Sequence, residues 1–247
     1  MSDTSQAILL IADISGFTRF MRQKTISINH AKQIIVRLLK AVMRASKHPL
    51  KVAEIEGDAV FFYAVGKQKD VRAMAEDVKN QLAGFFSAFD RELHEIAGLK
   101  TCTCDACSQV PDLRLKQVVH LGEVAVERIG RFEKLYGLDV IVVHRMLKNS
   151  IEEKEYVMMT QPFFSVLDDF YGLSPIRLTE SFEGVGDVEA LVFYPKDLAQ
   201  DLAIHERDVI KSSVVKKIAW RGTLSWKFLL DFLGLSRTNG KFTNLPV

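Results

Sequence analysis

Two aspartates stand at positions in the sequence where carboxylates could hold divalent metal ions. Asp13 ends an apolar, partly β-branched run, Ala7–Ile14, and is followed by Gly16. Asp58 stands in the Gly57-Asp58 turn between two short β-rich runs. A strand end and a neighbouring hairpin tip can meet in one sheet, and two carboxylates there can clamp two ions about 3.5–4 Å apart. The alternative is that Asp13 caps the following helix and Asp58 only forms the turn.

All three cysteines of the chain, Cys102, Cys104 and Cys107, lie within six positions of one another. An odd number of cysteines in a chain without a recognisable signal peptide argues against a disulfide framework. The C-x-C-x-x-C cluster suits thiolate coordination of zinc, with Asp105, His94, a water or a group from another chain as the fourth ligand. The alternative is a loop whose cysteines are simply kept reduced.

Length and composition exclude several classes of protein. The 247 residues are 48% hydrophobic and 26% charged, which is typical of soluble globular domains and unlike coiled coils, collagens or low-complexity chains. No apolar run approaches the roughly 20 residues of a membrane span, and the polar start predicts no signal peptide, so we expect a cytoplasmic protein. A formal net charge of +2 gives no reason to expect nucleic-acid binding.

Hydrophobic periodicity predicts alternating strands and helices. We expect a β-strand at 7–14, a helix from 29 to about 46, a hairpin of 50–56 with 59–65 and a helix over 70–97. Further along we expect strands at 113–124 and 125–130, a helix at 138–150, a strand at 156–160, a short helix at 162–170, and strands at 176–180 and 189–193. This order predicts an α+β, ferredoxin-like fold with a mixed, mostly antiparallel sheet and helices packed on one face.

The chain divides at about residue 204. Residues 1–204 are expected to form one domain with the cysteine loop at 100–112 as an insertion, and 205–247 a basic, aromatic helical extension. That extension has eight Lys or Arg against three Asp or Glu, and Thr223–Leu235 is apolar nearly all round. It either covers the sheet or a dimer groove, or docks on an anionic membrane surface.

Four short motifs in register resemble those of the class III adenylyl and guanylyl cyclases. They are Ala12–Thr18, Ile55–Ala59, Val119–Val124 and Ile129-Gly130, and their spacing and element order match from about Ala7 to Leu147. The sequence is therefore similar to a divergent member of that superfamily, in a bacterial branch of uncharacterised function.

The resemblance implies a nucleotide site and its partners. It assigns two magnesium or manganese ions to Asp13, Asp58 and the backbone carbonyl of Ile14, and the phosphates of ATP or GTP to Ser15, Gly16 and Phe17. It also implies a head-to-tail homodimer in which the partner completes the site. This hypothesis requires the two aspartates to meet and no lysine or arginine to neutralise them already.

The sequence departs from the family in the remaining parts. Arg145 falls on the family's transition-state arginine, but Ile141 falls on the asparagine that orients the ribose; Asn149, one turn beyond Arg145, is a candidate replacement. Glu54 falls on a base-recognition position and favours guanine, while the complementary position falls near Lys134.

Three functions are consistent with the sequence. The first is an active cyclase. The second is a cyclase-like domain that binds a purine nucleoside triphosphate with weak or absent cyclisation. The third is an inactive regulatory, dimerisation or scaffold module with a zinc-binding cysteine loop.

Overall fold

The structure, a computed structural model, describes residues 4–21, 25–67, 70–98 and 105–196. The strands of this part are β1 (Thr4–Ser15), β2 (Lys51–Glu56), β3 (Ala59–Gly66), β4 (Arg114–Ile129), β5 (Phe132–Tyr136), β6 (Tyr156–Thr160), β7 (Ile176–Phe182) and β8 (Gly186–Phe193). The helices are α1 (Phe17–Met21), α2 (Thr25–Ala45), α3 (Val71–Gly98), α4 (Asp105–Gln109), α5 (Leu138–Arg145) and α6 (Gln161–Leu167).

The strands form one sheet in the order β2-β3-β1-β4-β6-β8-β7, and β5 pairs with the end of β4. Every pairing is antiparallel except that of β4 with β6. The prediction of an α+β fold with a mixed, mostly antiparallel sheet is confirmed.

Alternate residues of β1 serve two hydrophobic cores, because successive side chains of a strand point to opposite faces. Ile8 and Leu10 lie in the core beneath α2, α3 and α6. Leu9 and Ile11 lie in a second core on the opposite face, which the short helix α5 covers. Burial on both faces explains the nearly continuous apolar run of β1. By the same alternation, Asp13 belongs to the α5 face.

Several elements differ from the sequence-based expectations: α1 and α4 were not predicted, α2 begins at Thr25, α6 ends at Leu167, and β8 begins at Gly186. Three further differences concern β4, β5 and α5. The strands expected at 113–124 and 125–130 are one strand, β4, because its first part pairs with β1 and its last part with β5. Strand β5 was not predicted. The helix expected to reach Ser150 ends at Arg145, since Asn149 closes a turn by donating to the Met146 carbonyl and accepting from the Ile151 amide.

No helix in the described ranges is both long and apolar enough to span a lipid bilayer. Cys102, Cys104 and the extension 205–247 lie outside the described residues.

Candidate functional site

The β2–β3 hairpin brings Asp58 to the end of β1. Asp13 is paired with Ala59 in the β1–β3 register, and the Ile14 amide donates to the Asp58 carbonyl at 3.1 Å. Burial raises the pKa of the Asp58 carboxyl to about 6, and the negative charge of Asp13 adds to the rise. The two aspartates therefore interact, as the metal-site hypothesis requires.

A lysine already neutralises Asp13. Lys116 lies directly opposite Asp13 in the β1–β4 register, and its Nζ is 3.1 Å from Asp13 Oδ2. Only 18% of the lysine side chain and 14% of the aspartate side chain are exposed. The same Nζ donates to the Leu147 carbonyl at 3.3 Å. The second requirement of the metal-site hypothesis is therefore not met at Asp13, while the Asp58 carboxylate has no ion pair in the described part of the chain.

The turn after β1 contacts the hairpin turn. Gly16 has φ +93°, a backbone conformation that favours glycine, and its carbonyl accepts from the Phe20 amide at 3.0 Å as α1 begins. The Phe17 ring lies 4.0 Å from the point where a Cβ of Gly57 would be. Ser15, Gly16 and Phe17 thus lead from the aspartates into α1.

Helix α5 carries Ile141 and Arg145, which the resemblance in the sequence predicts at catalytic positions. Arg145 is its last residue and is exposed, and among the described residues it has no ion pair. His144 Nε2 lies 3.1 Å from Glu56 Oε1, and the ring packs edge-on against Phe61. These contacts hold the end of α5 beside the β2–β3 hairpin. Ile141, in place of the asparagine, is 50% exposed.

A buried polar network fixes the start of α5 to the sheet. His120 Nε2 lies 2.8 Å from Asp139 Oδ1, and His120 Nδ1 lies 3.0 Å from the Thr160 hydroxyl. Asp139 Oδ2 accepts from the Glu123 amide at 2.7 Å. The hydrogen bond from His120 lowers the pKa of Asp139, so this carboxylate is ionised at neutral pH. The network orients the helix that carries Ile141, His144 and Arg145.

Asn149, the candidate replacement for the family's asparagine, directs its side-chain amide to the turn after α5. Its Nδ2 donates to the Met146 carbonyl and to the Tyr156 hydroxyl, both at 2.7 Å, and its Oδ1 accepts from the Ile151 amide at 3.1 Å. The side-chain amide is therefore fully used in holding the turn after α5.

Glu54 and Lys134, the two residues that the resemblance predicts at or near base-recognition positions, form an ion pair with each other. Both side chains are nearly half exposed. The contact joins β2 to β5, and Lys51 Nζ of β2 makes a second link to Glu133 of β5 at 3.9 Å. A base bound there would have to compete with this surface pair.

Cys107, the cysteine within the described residues, is buried on α4. Its Sγ lies 3.9 Å from Nδ1 of His30 on α2, and burial lowers the pKa of that histidine. His94, one of the expected fourth ligands, directs Nδ1 to the Asp90 carbonyl at 2.7 Å. No group of three His, Cys, Asp or Glu side chains close enough to hold a metal occurs in the described ranges.

Sequence reasoning missed Lys116 and His30. Lys116 gives a weak signal, a charged residue just before the apolar pair Val118-Val119 of β4, but its partner follows only from the β1–β4 register. His30 is 77 positions from Cys107, so no local pattern connects the two residues.

Comparison of the sequence with known proteins finds a family and a relative. Residues 35–156 match the model of a protein family of unknown function, DUF2652. The uncharacterised protein Rv2561/Rv2562 of Mycobacterium tuberculosis is 37% identical over 153 residues, which are 62% of this chain and 69% of that protein.

Solved structures of a cyclase and of a cyclase-like protein share the fold. The adenylyl cyclase CyaB from Pseudomonas aeruginosa superposes with a TM-score of 0.59 and 12% identity, over 77% of this chain and 95% of CyaB. A class III adenylyl cyclase-like ATP-binding protein from the same organism superposes with a TM-score of 0.53 and 17% identity, over 66% of this chain and 35% of that protein. The described domain therefore has the fold of the class III cyclases.

Proposed function

The chain belongs to the family of the uncharacterised mycobacterial protein Rv2561/Rv2562, and we propose that it is a cyclase-like domain that binds a purine nucleoside triphosphate. Binding uses magnesium or manganese on the Asp58 carboxylate, beside the ion pair of Asp13 with Lys116, and cyclisation to a 3′,5′-cyclic nucleotide is weak or absent. The observation that best supports this proposal is that Asp13 and Asp58 lie near each other, beside the Ser15–Phe17 turn, in a domain with the cyclase fold.

The residues present fit a metal that arrives with its nucleotide. Magnesium binds through one or two carboxylates and completes its coordination with substrate phosphates and water, so a preformed cage of three protein ligands is not needed. Asp58 supplies a carboxylate without an ion pair in the described chain, and Ile14 directs its amide towards the same turn. In an antiparallel strand the carbonyl of a residue points to the same side as its amide, which favours the Ile14 carbonyl as a further oxygen ligand. The ion would screen the phosphate charges.

The proposed weakness of cyclisation follows from the side chains on and just after helix α5. Ile141 offers no hydrogen bond to a ribose, and Asn149 is committed to the turn after the helix. Arg145 alone remains from the family's transition-state pair. A group that acts only on the transition state can be lost without loss of substrate binding, so binding with little turnover is physically consistent.

A second copy of the chain is the proposed partner. Arg145 is exposed, so it is available to a site on another protomer. Apolar side chains that are at least half exposed gather on the β4–β5 hairpin and the α5 segment that follows it: Ile129, Phe132, Tyr136, Leu138 and Ile141. Exposed apolar groups of this kind mark association surfaces. A homodimer through this surface would cover them and bring Arg145 to a partner.

Calorimetric titration of the full chain with ATP and with GTP, each with manganese, tests the proposal. We expect saturable binding that weakens at least tenfold in Asp58→Asn, because the substitution removes the unpaired carboxylate. Asp187→Asn, an exposed aspartate on β8, is the matched control and should bind like the unsubstituted chain. The proposal would be refuted if neither ATP nor GTP bound saturably, or if Asp58→Asn bound the nucleotide as tightly as the unsubstituted chain. Chromatography of the same mixtures measures any cyclic product, and preference between ATP and GTP tests Glu54.

A zinc-bound regulatory module is the second candidate, and the contact between Cys107 and His30 favours it. A sulfur and a nitrogen bound to one tetrahedral zinc lie about 3.6 Å apart, given Zn–S of about 2.3 Å and Zn–N of about 2.0–2.1 Å. The observed 3.9 Å is close to this value. The lowered pKa of His30 keeps its imidazole neutral, as a ligand must be. His30 would join Cys102, Cys104 and Cys107 as the fourth ligand.

A further inference from the structure

We propose that the ammonium group of Lys116 takes the place of one of the two divalent ions that the family fold implies, so that the site binds its nucleotide with a single metal ion. This inference rests on the proposed nucleotide binding and specifies how the site does it. Lys116 is a phosphate-positioning residue in this scheme, and Asp13 serves as its counter-ion.

The surroundings of Lys116 are those of a built cation site. Its Nζ lies between Asp13 Oδ2, at 3.1 Å, and the Leu147 carbonyl, at 3.3 Å. Leu147 is the second residue after α5, and the carbonyl end of a helix favours a positive charge. A lysine this enclosed in a central strand is uncommon unless it is paired, because its ammonium group gives up hydration.

The position of the ammonium group restricts what else Asp13 can bind. A divalent ion on Asp13 would stand about 2.0–2.1 Å from its oxygen, and therefore next to a positive charge that already uses this carboxylate. Asp58 makes no ion pair in the described chain, although the Lys116 charge also acts on it from a greater distance. One metal ion on the Asp58 side, with the Lys116 ammonium on the Asp13 side, places two cationic centres beside the Ser15–Phe17 turn. An ammonium group is a common partner of phosphate oxygens.

Two measurements on the full chain test this assignment. Titration with manganese, followed by the electron paramagnetic resonance of the free ion, counts the ions bound per chain in the presence of saturating ATP or GTP. We expect one ion for the unsubstituted chain. Binding of the same nucleotide in excess EDTA should remain measurable, since the ammonium group is still present, and should fall at least tenfold in Lys116→Met.

The substitution that weakens nucleotide binding in EDTA should strengthen the binding of manganese. Lys116→Met should bind manganese at least tenfold more tightly than the unsubstituted chain, because Asp13 becomes available to the ion. Lys40→Met, an exposed lysine on α2, is the control for loss of a positive charge and should change neither quantity.

The outcomes separate this inference from the proposed function. Two manganese ions per unsubstituted chain would overturn it without any variant, even if Lys116→Met does not fold. Metal-dependent nucleotide binding that is unchanged in a folded Lys116→Met would overturn the role of Lys116 and leave the proposed function intact. If neither protein binds a nucleotide with or without manganese, the proposed function itself fails.

Discussion

The carboxylate of Asp139 fills the space next to Gly122 that a side chain at that position would need. A Cβ atom on Gly122 would lie 2.2 Å from Asp139 Cγ and 2.4 Å from its Oδ2. The glycine lets α5 approach β4 closely enough for Asp139 to bond His120 and the Glu123 amide. The Leu121-Gly122-Glu123 segment therefore positions the helix that carries Arg145.

Gly122→Ala should destabilise the protein by about 2–4 kcal/mol, because the new methyl group displaces Asp139 and leaves Nε2 of the buried His120 without its carboxylate partner. Chemical denaturation monitored by circular dichroism measures the change. Gly84→Ala on α3 is the control, since nothing lies within 4 Å of its added Cβ and alanine favours a helix. Equal stability of the two variants would contradict the close approach of α5 and β4.

The stability of the folded chain should depend on the ionisation of Asp58. Because the pKa of Asp58 rises to about 6 in the folded state, ionising this carboxyl costs more in the folded chain than in the unfolded chain. The free energy of unfolding should therefore decrease as the pH rises from about 4 to about 6 and then level off.

Asp58→Asn removes this contribution, so the variant should gain stability relative to the unsubstituted chain over the same pH range. We expect the free energy of unfolding of the variant to be higher by about 1 kcal/mol at pH 7. This is less than the pKa shift alone would give, because solvent screens the partly exposed charge. Urea denaturation in EDTA at several pH values provides the measurement. A difference that does not change between pH 4 and pH 7 would contradict the raised pKa.

Ile141→Asn should increase cyclisation if nucleotide binding at the proposed site is productive. Ile141 is 50% exposed, so the fold tolerates a polar side chain there, and asparagine restores a hydrogen-bonding group one turn before Arg145. We expect at least a tenfold higher rate of cyclic product with manganese, measured by chromatography, and little change in nucleotide affinity. Ile141→Ala is the matched control, and an equal rate in both variants would argue against a missing ribose contact.

The purified chain should contain about one zinc ion if the cysteine loop is a zinc site. Zinc content, measured by mass spectrometry, should fall to near zero in Cys107→Ser and decrease in His30→Ala, since His30 is the proposed fourth ligand. His48→Ala, an exposed histidine, should retain zinc. A metal-free chain purified without chelators would contradict the zinc assignment.

Phe132→Glu should weaken self-association at least tenfold, because it places a charge in the exposed apolar surface of the β4–β5 hairpin. Phe132 is 59% exposed. Light scattering after size-exclusion chromatography measures the oligomeric state over a range of concentrations. Ile176→Glu, on β7 at the far edge of the sheet, is the control with a similar exposed fraction of 55%. A monomeric unsubstituted chain would rule out the proposed dimer.

The local sequence was sufficient for most of the strands and long helices, and for placing Asp13 at a strand end and Asp58 in a hairpin turn. The apolar run before Asp13 predicts a strand that is buried on both faces, and Gly57-Asp58 predicts the hairpin turn, because both patterns depend on neighbouring residues alone. The same reasoning predicts the mixed sheet, since the order of strands and helices restricts how they can pair.

Tertiary structure decided the electrostatic character of the site. Lys116 neutralises Asp13 only because the register of β1 against β4 places the two residues opposite each other, 103 positions apart in the chain. A shift of one residue in that register would point Lys116 to the other face of the sheet. The meeting of Cys107 with His30 depends in the same way on how α4 packs against α2. Short-range patterns specify which residues can do chemistry, whereas long-range pairing determines which charges they meet.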